Sequence, residues 1–389
     1  MNRDVSGLIS SKGYPVESHV VQTKDGFLLT LQRIPHGKSG KTVSTNQQVV
    51  LIQHGLDSAA SDWVLNFPHQ SLGFILADAG YDVWLGNSRG NTYSRKHANY
   101  TPDMAAFWNY SFDQMAEFDL PAMIDYILQE TKQEKLFYIG HSQGTSQAFA
   151  MLSENVQYNE KIKLFIALAP VTTVGHLKSA IKYLAPFTGD LEFLAGILGI
   201  KDFVPSEGIM KYFSEYLCDS EAKFLCEWVI FFLCGTDYQQ LNSSRVGVYT
   251  AHTPAGTSVK SIAHYGQLVV SKKFAKFDYG KKNHLHYNQT TPPEYDLSKI
   301  TAPVALMWSQ NDELADPDDV AILQSKLKSV VHSYCVPVPA FNHYDFAIAM
   351  DAHEVLYNEV LRLLKEYQGI VRYPIRPTFS PCKQGRISK

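Results

Sequence analysis

The chain has 389 residues, of which 45% are hydrophobic and 19% charged, with a formal net charge of −3. This balance describes a globular protein long enough for a large core, and no basic stripe points to nucleic acid as a partner. The most apolar run, Trp228 to Cys234, is far shorter than the ~20 residues a spanning helix needs, so no transmembrane span is expected.

The start, MNRDVSGLISSKGYP, holds no apolar run of the length a secretory signal requires. The first half then alternates short apolar runs with helical spacing, the mark of βαβ units and a mainly parallel sheet. Residues 26–34 are expected to form an early strand in an antiparallel edge hairpin. Residues 48–53, 81–85 and 135–140 read as short buried strands, each ending in a Gly-containing turn. Between them, 69–79 and 113–131 have helical apolar spacing, with Pro121 restarting or kinking the second helix. Residues 162–169 and 303–308 supply two more strands and 333–338 a last one. A final helix over 351–367 takes Asp351 as N-cap and sets Leu356, Val360, Leu363, Leu364 and Tyr367 on one apolar face.

From about 172 to 300 this rhythm breaks. The stretch lacks β alternation and holds apolar helical segments at 177–199 and 207–234, so it reads as a helical cap inserted into the core. A second packed domain without a functional role is the other reading. The expected divisions are a core of 1–171 and 301–367, a cap of 172–300, and a Pro-containing basic tail, 368–389, that is poorly ordered.

The strongest chemical signal is Gly140-His141-Ser142-Gln143-Gly144, placed between an apolar strand and a helical pattern. G-x-S-x-G is common by chance, but the strand–turn–helix setting is what a nucleophile elbow requires. A serine hydroxyl attacks well only when a base takes its proton and a third group orients that base. On such a sheet the acid and then the histidine follow later strands. Asp312 stands after the strand ending at Trp308, with Asp316 as the fallback, and His343 lies in the loop after the last strand. His332 precedes that strand and His353 belongs to the last helix, so neither fits the base position. The oxyanion donors are expected to be the backbone amides of Gln143 and of Leu56, the last residue of VVLIQHGL (49–56), in the loop after an early strand. The side chain of His54 is expected to pack beneath the site. This chemistry needs no metal or cofactor, and the His284-x-His286 pair reads as a polar loop.

With those pieces placed, the chain resembles the gastric and lysosomal acid lipase family from about residue 4 to 367. The resemblance rests on DVSGLISSKGYP, LIQHGLDSAASDWV, SLGFILADAGYDVWLGNSRGNTYSRKH, FWNYSFDQMAEFDLPAMIDYIL, YIGHSQGTS, SRVGVYTAHTPAGTSV and NDELADPDDV. It implies an α/β-hydrolase core whose triad falls on Ser142, Asp312 and His343 and whose oxyanion amides fall on Leu56 and Gln143. It also implies a lid near 205–236 over a deep apolar site, acting on triacylglycerols and, in some members, cholesteryl esters. Acid activity is an expectation of the resemblance alone. So are a monomer working at a lipid–water interface, a secreted or lysosomal location, and a signal segment upstream of this chain's start.

Four sequons, at Asn99, Asn109, Asn242 and Asn288, become glycosylation sites only on that secretory route. The five cysteines are an odd number, so at least one stays outside any intrachain pair. The resemblance implies a disulfide between Cys218 and Cys226 and leaves Cys234 as a thiol, with no role assigned to Cys335 or Cys382. Two other functions remain open at this point. One is a lipid-binding or yolk-type protein that has lost catalysis, and the other is a short-chain or specialised esterase. Epoxide- or halide-removing relatives of the fold use an aspartate at the elbow, which Ser142 argues against.

Overall fold

The computed structural model describes residues 3–40, 47–183, 234–369, 378–380 and 382. Its centre is a mixed sheet of β1 (Glu17–Gln22), β2 (Phe27–Ile34), β3 (Val49–Gln53), β4 (Asp82–Leu85), β5 (Lys96–His97), β6 (Leu136–His141), β7 (Ile162–Leu168), β8 (Val304–Trp308), β9 (Val330–Cys335) and β10 (Thr378–Ser380). The order across the sheet is β1-β2-β4-β3-β6-β7-β8-β9-β10, with β5 paired to β2. Pairing is antiparallel around β2 and parallel from β4 through β10. The expected hairpin is therefore present, with β1 on the edge and β2 one strand in.

Parallel strands covered by helices on both faces must be apolar throughout, and β3, β4 and β6 are buried at every position. The chain leaves β3 toward β4 on one side and later returns to pair β6 on the other. That reversal opens a crevice at the carboxyl ends of β3 and β6, the usual ligand position in open α/β sheets.

The helix expected over 113–131 opens with a capping box between Ser111 and Gln114 and passes through a π turn, Met115–Asp119. It continues without a break as Leu120–Thr131, with Pro121 directly after the π turn, so the helix runs through the proline. Three expectations need correction. The last strand is Val330–Cys335 and not 333–338, so His332 lies inside it. Pro337 explains the shift, since it has no N–H to continue the ladder. Asp351 is not a side-chain cap, because its carboxylate accepts from Gln240 Nε2 at 3.1 Å; a π turn, His353–Tyr357, precedes the helix Asn358–Gln368. Beyond that helix, Thr378–Ser380 adds to β9 as a parallel strand and Cys382 is disulfide-bonded to Cys335 across a Cα separation of 5.2 Å, so these tail residues are built onto the sheet.

Between β7 and β8 the described residues form helices at Val246–Thr250, Val259–Ser271 and Asn283–Tyr287. Their only β pairing is an isolated bridge between Ala275 and Glu294. Residues 184–233, which hold Cys218, Cys226 and nearly all of the expected lid, lie outside the described residues.

Beneath the crevice, Arg89 is 1% exposed and its guanidinium is split between two carboxylates. Nε donates to Asp119 Oδ1 at 2.8 Å and Nη1 to Asp25 Oδ2 at 2.7 Å, while the Phe27 ring lies 4.2 Å from the cation. Asp119 is fully buried, so removing the arginine alone strands its charge. Arg89→Met is expected to destabilise the fold by about 3–5 kcal/mol in urea unfolding. A loss below about 1 kcal/mol would mean that the cluster relaxes or protonates at little cost.

Candidate active site

Strand β6 delivers Ser142 into a turn that ordinary backbone geometry resists. Ser142 has φ 52° and ψ −117°, and the helix Gln143–Glu154 starts immediately after it. Such strain lifts the side chain clear of the strand end. Close approach dictates the glycines here: a Cβ on Gly140 would lie 2.8 Å from the carbonyl carbon of Gly144. A Cβ on Gly55 would lie 3.1 Å from Ser142 Cβ, so the loop after β3 is seated directly against the elbow.

The ends of β8 and β9 bring the predicted acid and base together. His343 Nδ1 is 2.9 Å from both Asp312 Oδ1 and Asp312 Oδ2, and both residues are buried. Asp312 Oδ1 also accepts the backbone N–H groups of Leu314 and Ala315, at 2.9 and 2.7 Å. A carboxylate held by those amides keeps a fixed face toward the imidazole, and because Nδ1–H donates to it, Nε2 keeps the lone pair a base needs. The fallback acid is otherwise engaged. Asp316 caps the helix Pro317–Lys326 through the N–H of Asp318, at 2.9 Å, and pairs with Lys178 Nζ at 2.7 Å. His332 pairs with Glu359 at 2.8 Å. His284 Nδ1 faces the Lys281 carbonyl at 2.7 Å, while the His286 ring stacks on Tyr279.

Two further histidines shape the site, and both stay neutral. His54 Nε2 accepts the Ser88 N–H at 3.0 Å, so its proton sits on Nδ1, 2.8 Å from the Gly55 carbonyl; burial pushes its pKa down to about 4. It thus anchors the loop that carries Leu56. His141, within the pentapeptide, donates from Nε2 to the His343 carbonyl at 2.9 Å. Burial, and then the charge of His343, lower its pKa to about 3. Sequence reasoning missed this role, although the residue preceding the nucleophile was the signal available.

The Leu56 loop and the turn after it carry two carboxyls, Asp57 half-buried and Asp62 buried. Asp57 accepts the Gly256 N–H at 2.8 Å, and burial raises it to about 7. Asp62 is raised to about 6 by burial, against hydrogen bonds from Ser58 and Thr253. Mild acid therefore removes negative charge from beside this loop. The Gln143 side chain turns away toward Met115 Sδ, at 3.6 Å, leaving its backbone at the helix start beside the crevice.

Of the sequon residues, Asn99, Asn109 and Asn288 are exposed. Asn109 Oδ1 accepts from Lys260 Nζ at 3.0 Å, and half-buried Asn242 caps Ser244 at 3.1 Å. Cys234 is a free thiol that burial pushes up to about 12. No helix among the described residues is long and apolar enough to cross a membrane.

Sheet order, elbow and the Asp–His pair on later strands define an α/β-hydrolase. A profile described as the alpha/beta hydrolase fold matches residues 48–350, and one described as a partial alpha/beta-hydrolase lipase region matches residues 5–67. The chain is 47% identical to gastric triacylglycerol lipase of Rattus norvegicus, covering 94% of this chain and 92% of that one. It is 42% identical to lysosomal acid lipase/cholesteryl ester hydrolase of Homo sapiens over the same shares. Among solved structures, a putative lipase from Sulfolobus solfataricus superposes with a TM-score of 0.58 at 14% identity, covering 90% of this chain and 99% of that one, which speaks to fold alone. The chain belongs to the gastric and lysosomal acid lipase family of α/β-hydrolases.

Proposed function

We propose that the protein is a lipase that cleaves the carboxylic esters of neutral lipids, triacylglycerols first and cholesteryl esters second, through an acyl-enzyme on Ser142. The observation that carries this reading is the strained Ser142 turn combined with the buried Asp312–His343 pair on the two later strands. Relatives above 40% identity named for those two substrates support the choice of lipid.

In this reading His343 Nε2 takes the Ser142 proton as Oγ attacks the ester carbonyl. The amides of Leu56 and Gln143 receive the oxyanion, each donor contributing about 3 kcal/mol to the transition state. His343 then protonates the leaving alcohol, and a water activated by the same nitrogen releases the fatty acid. Asp312 fixes the tautomer and stabilises the imidazolium. Residues 172–300 act as the cap over this crevice, with the lid near 205–236. The enzyme works as a monomer at a lipid–water interface, secreted or lysosomal. Protonation of Asp57 and Asp62 in mild acid favours the oxyanion by removing anions from its loop.

The test is a substrate profile of the purified protein between about pH 4 and pH 8. It uses p-nitrophenyl esters from acetate to palmitate, emulsified triolein and cholesteryl oleate. Cleavage of long-chain and emulsified esters, strongest in acid, is expected. Activity confined to short soluble esters would remove the lipase assignment while keeping the esterase.

A further inference from the structure

The short segment Cys234–Gln240 is stitched to three loops at the end of the sheet. Cys234 O accepts the His343 N–H at 3.3 Å and Gly235 O accepts Asn342 Nδ2 at 2.9 Å. Asn311, next to the acid, donates to Thr236 O at 3.1 Å. Gln240 O accepts the Met350 N–H at 2.9 Å, and its side chain bonds the Asp351 N–H and carboxylate. None of these contacts is explained by the chemistry of Ser142, yet two of them touch His343 and the residue before it.

At the middle of this strap two carboxyls meet. Asp237 and Asp345 are each 2% exposed, and their carboxyls face one another. Asp345 Oδ2 also accepts the Asn342 N–H at 2.7 Å, and Asp237 Oδ1 the Gln239 N–H at 3.2 Å. Asp237 Oδ2 is buried with no hydrogen-bond partner. A buried carboxyl oxygen left without a donor gains one if the carboxyl beside it carries hydrogen, and two buried carboxylates side by side cannot both stay ionised.

The other charges around the pair do not relieve it. Asp351 acts on Asp237, and Asp312 acts on Asp345. On the flanks, Cys234 faces Asp312, Asp345 and Glu313, Tyr357 faces Asp345 and Asp62, and Tyr344 faces Asp62. All of these are acids. Burial, foremost, holds both carboxyls above the ordinary carboxylate range.

We infer that Asp237 and Asp345 share one proton, and that this proton clamps the Cys234–Gln240 strap to the loop carrying His343. Asp237 is then a positioning residue, acting through Asp345 and Asn342 on the base. As pH rises the pair loses its proton to solvent, like charges meet at the clamp, and the His343 loop loosens. This clamp contributes to the alkaline limb of activity, beside the charge on Asp57 and Asp62. The inference rests on His343 being the base, but the proton in the clamp can be tested without catalysis.

The experiment uses the full chain carrying Asp237→Asn, with Asp345→Asn as a second variant, because an amide donates the hydrogen bond at every pH. Two quantities are followed between about pH 4 and pH 8: kcat on a soluble ester, and Tm. Folding with a retained proton makes wild-type stability fall as pH rises from the unfolded carboxyl pKa toward the folded one, because there the native state binds the extra proton. Asp237→Asn is expected to flatten that fall. It is also expected to move the alkaline limb of kcat up by about one pH unit, close to tenfold in rate at a fixed pH on the limb. An unchanged Tm–pH slope in both variants would overturn the shared proton, whatever the enzyme's activity. A flattened Tm slope with an unmoved kcat limb would overturn the link to His343. If no ester is cleaved at any pH, the lipase reading fails and the Tm comparison still decides the clamp.

Discussion

Ser142→Ala is expected to lower kcat for ester hydrolysis by about 10⁴–10⁶-fold while leaving the fold intact. The size follows from what the hydroxyl does. Without Oγ no acyl-enzyme forms, and His343 and Asp312 have no nucleophile to activate. What remains is the oxyanion amides and substrate binding, which together still exceed water by roughly 10³–10⁴-fold. The backbone strain at φ 52° belongs to the Gly140–Gly144 turn and not to the hydroxyl, so alanine must adopt the same conformation and Tm should move little. Steady-state rates on a soluble ester, with circular dichroism as the folding control, settle it. An unchanged rate would mean either that another residue attacks or that the protein binds lipid without cleaving it.

The central strands were legible in the sequence because their burial is two-sided, while β2 and the long helices were legible from their one-sided periodicity. Strands β3, β4, β6, β7 and β8 read as apolar runs because helices cover both faces, and the elbow read as a motif because its glycines answer to contacts within a few residues. β1 is exposed or half-exposed at five of its six positions, so its residues give no apolar run to notice. β10 is three residues held by pairing to β9 and by the Cys335–Cys382 bond, and contacts that distant leave no local pattern. β9 was misplaced by three residues because Val336 and Val338 look like strand, while Pro337 between them ends the ladder. At the candidate site, strand order pointed to Ser142, Asp312 and His343, and the structure pairs the latter two. The contacts that hold them were not. His141 on the His343 carbonyl and Asp237 on Asp345 join residues 202 and 108 positions apart, and only the folded sheet ends bring them together.

Asp312→Asn is expected to reduce kcat by about 10⁴-fold, equivalent to about 5.5 kcal/mol of transition-state stabilisation, with little change in the fold. The geometry explains why so conservative a change is so costly. Both Asp312 oxygens lie 2.9 Å from His343 Nδ1, and Oδ1 is pinned by two backbone N–H groups. An asparagine must keep its carbonyl oxygen on those amides, which puts its NH₂ where Oδ2 was, facing the imidazole. That donor favours a lone pair at Nδ1 and so places the ring proton on Nε2, the nitrogen that must accept from Ser142. The negative charge that stabilises the imidazolium is lost as well. Asp316→Asn is the natural partner experiment, because Asp316 was the alternative acid and is spent on capping and on Lys178. It should leave kcat within about threefold and cost no more than about 1 kcal/mol of stability, because asparagine caps as well as aspartate and only the ion pair with the exposed Lys178 is lost. If Asp316→Asn caused the larger loss in rate, the acid would have to be reassigned, and the buried Asp312–His343 pair would be a structural contact rather than the orienting one.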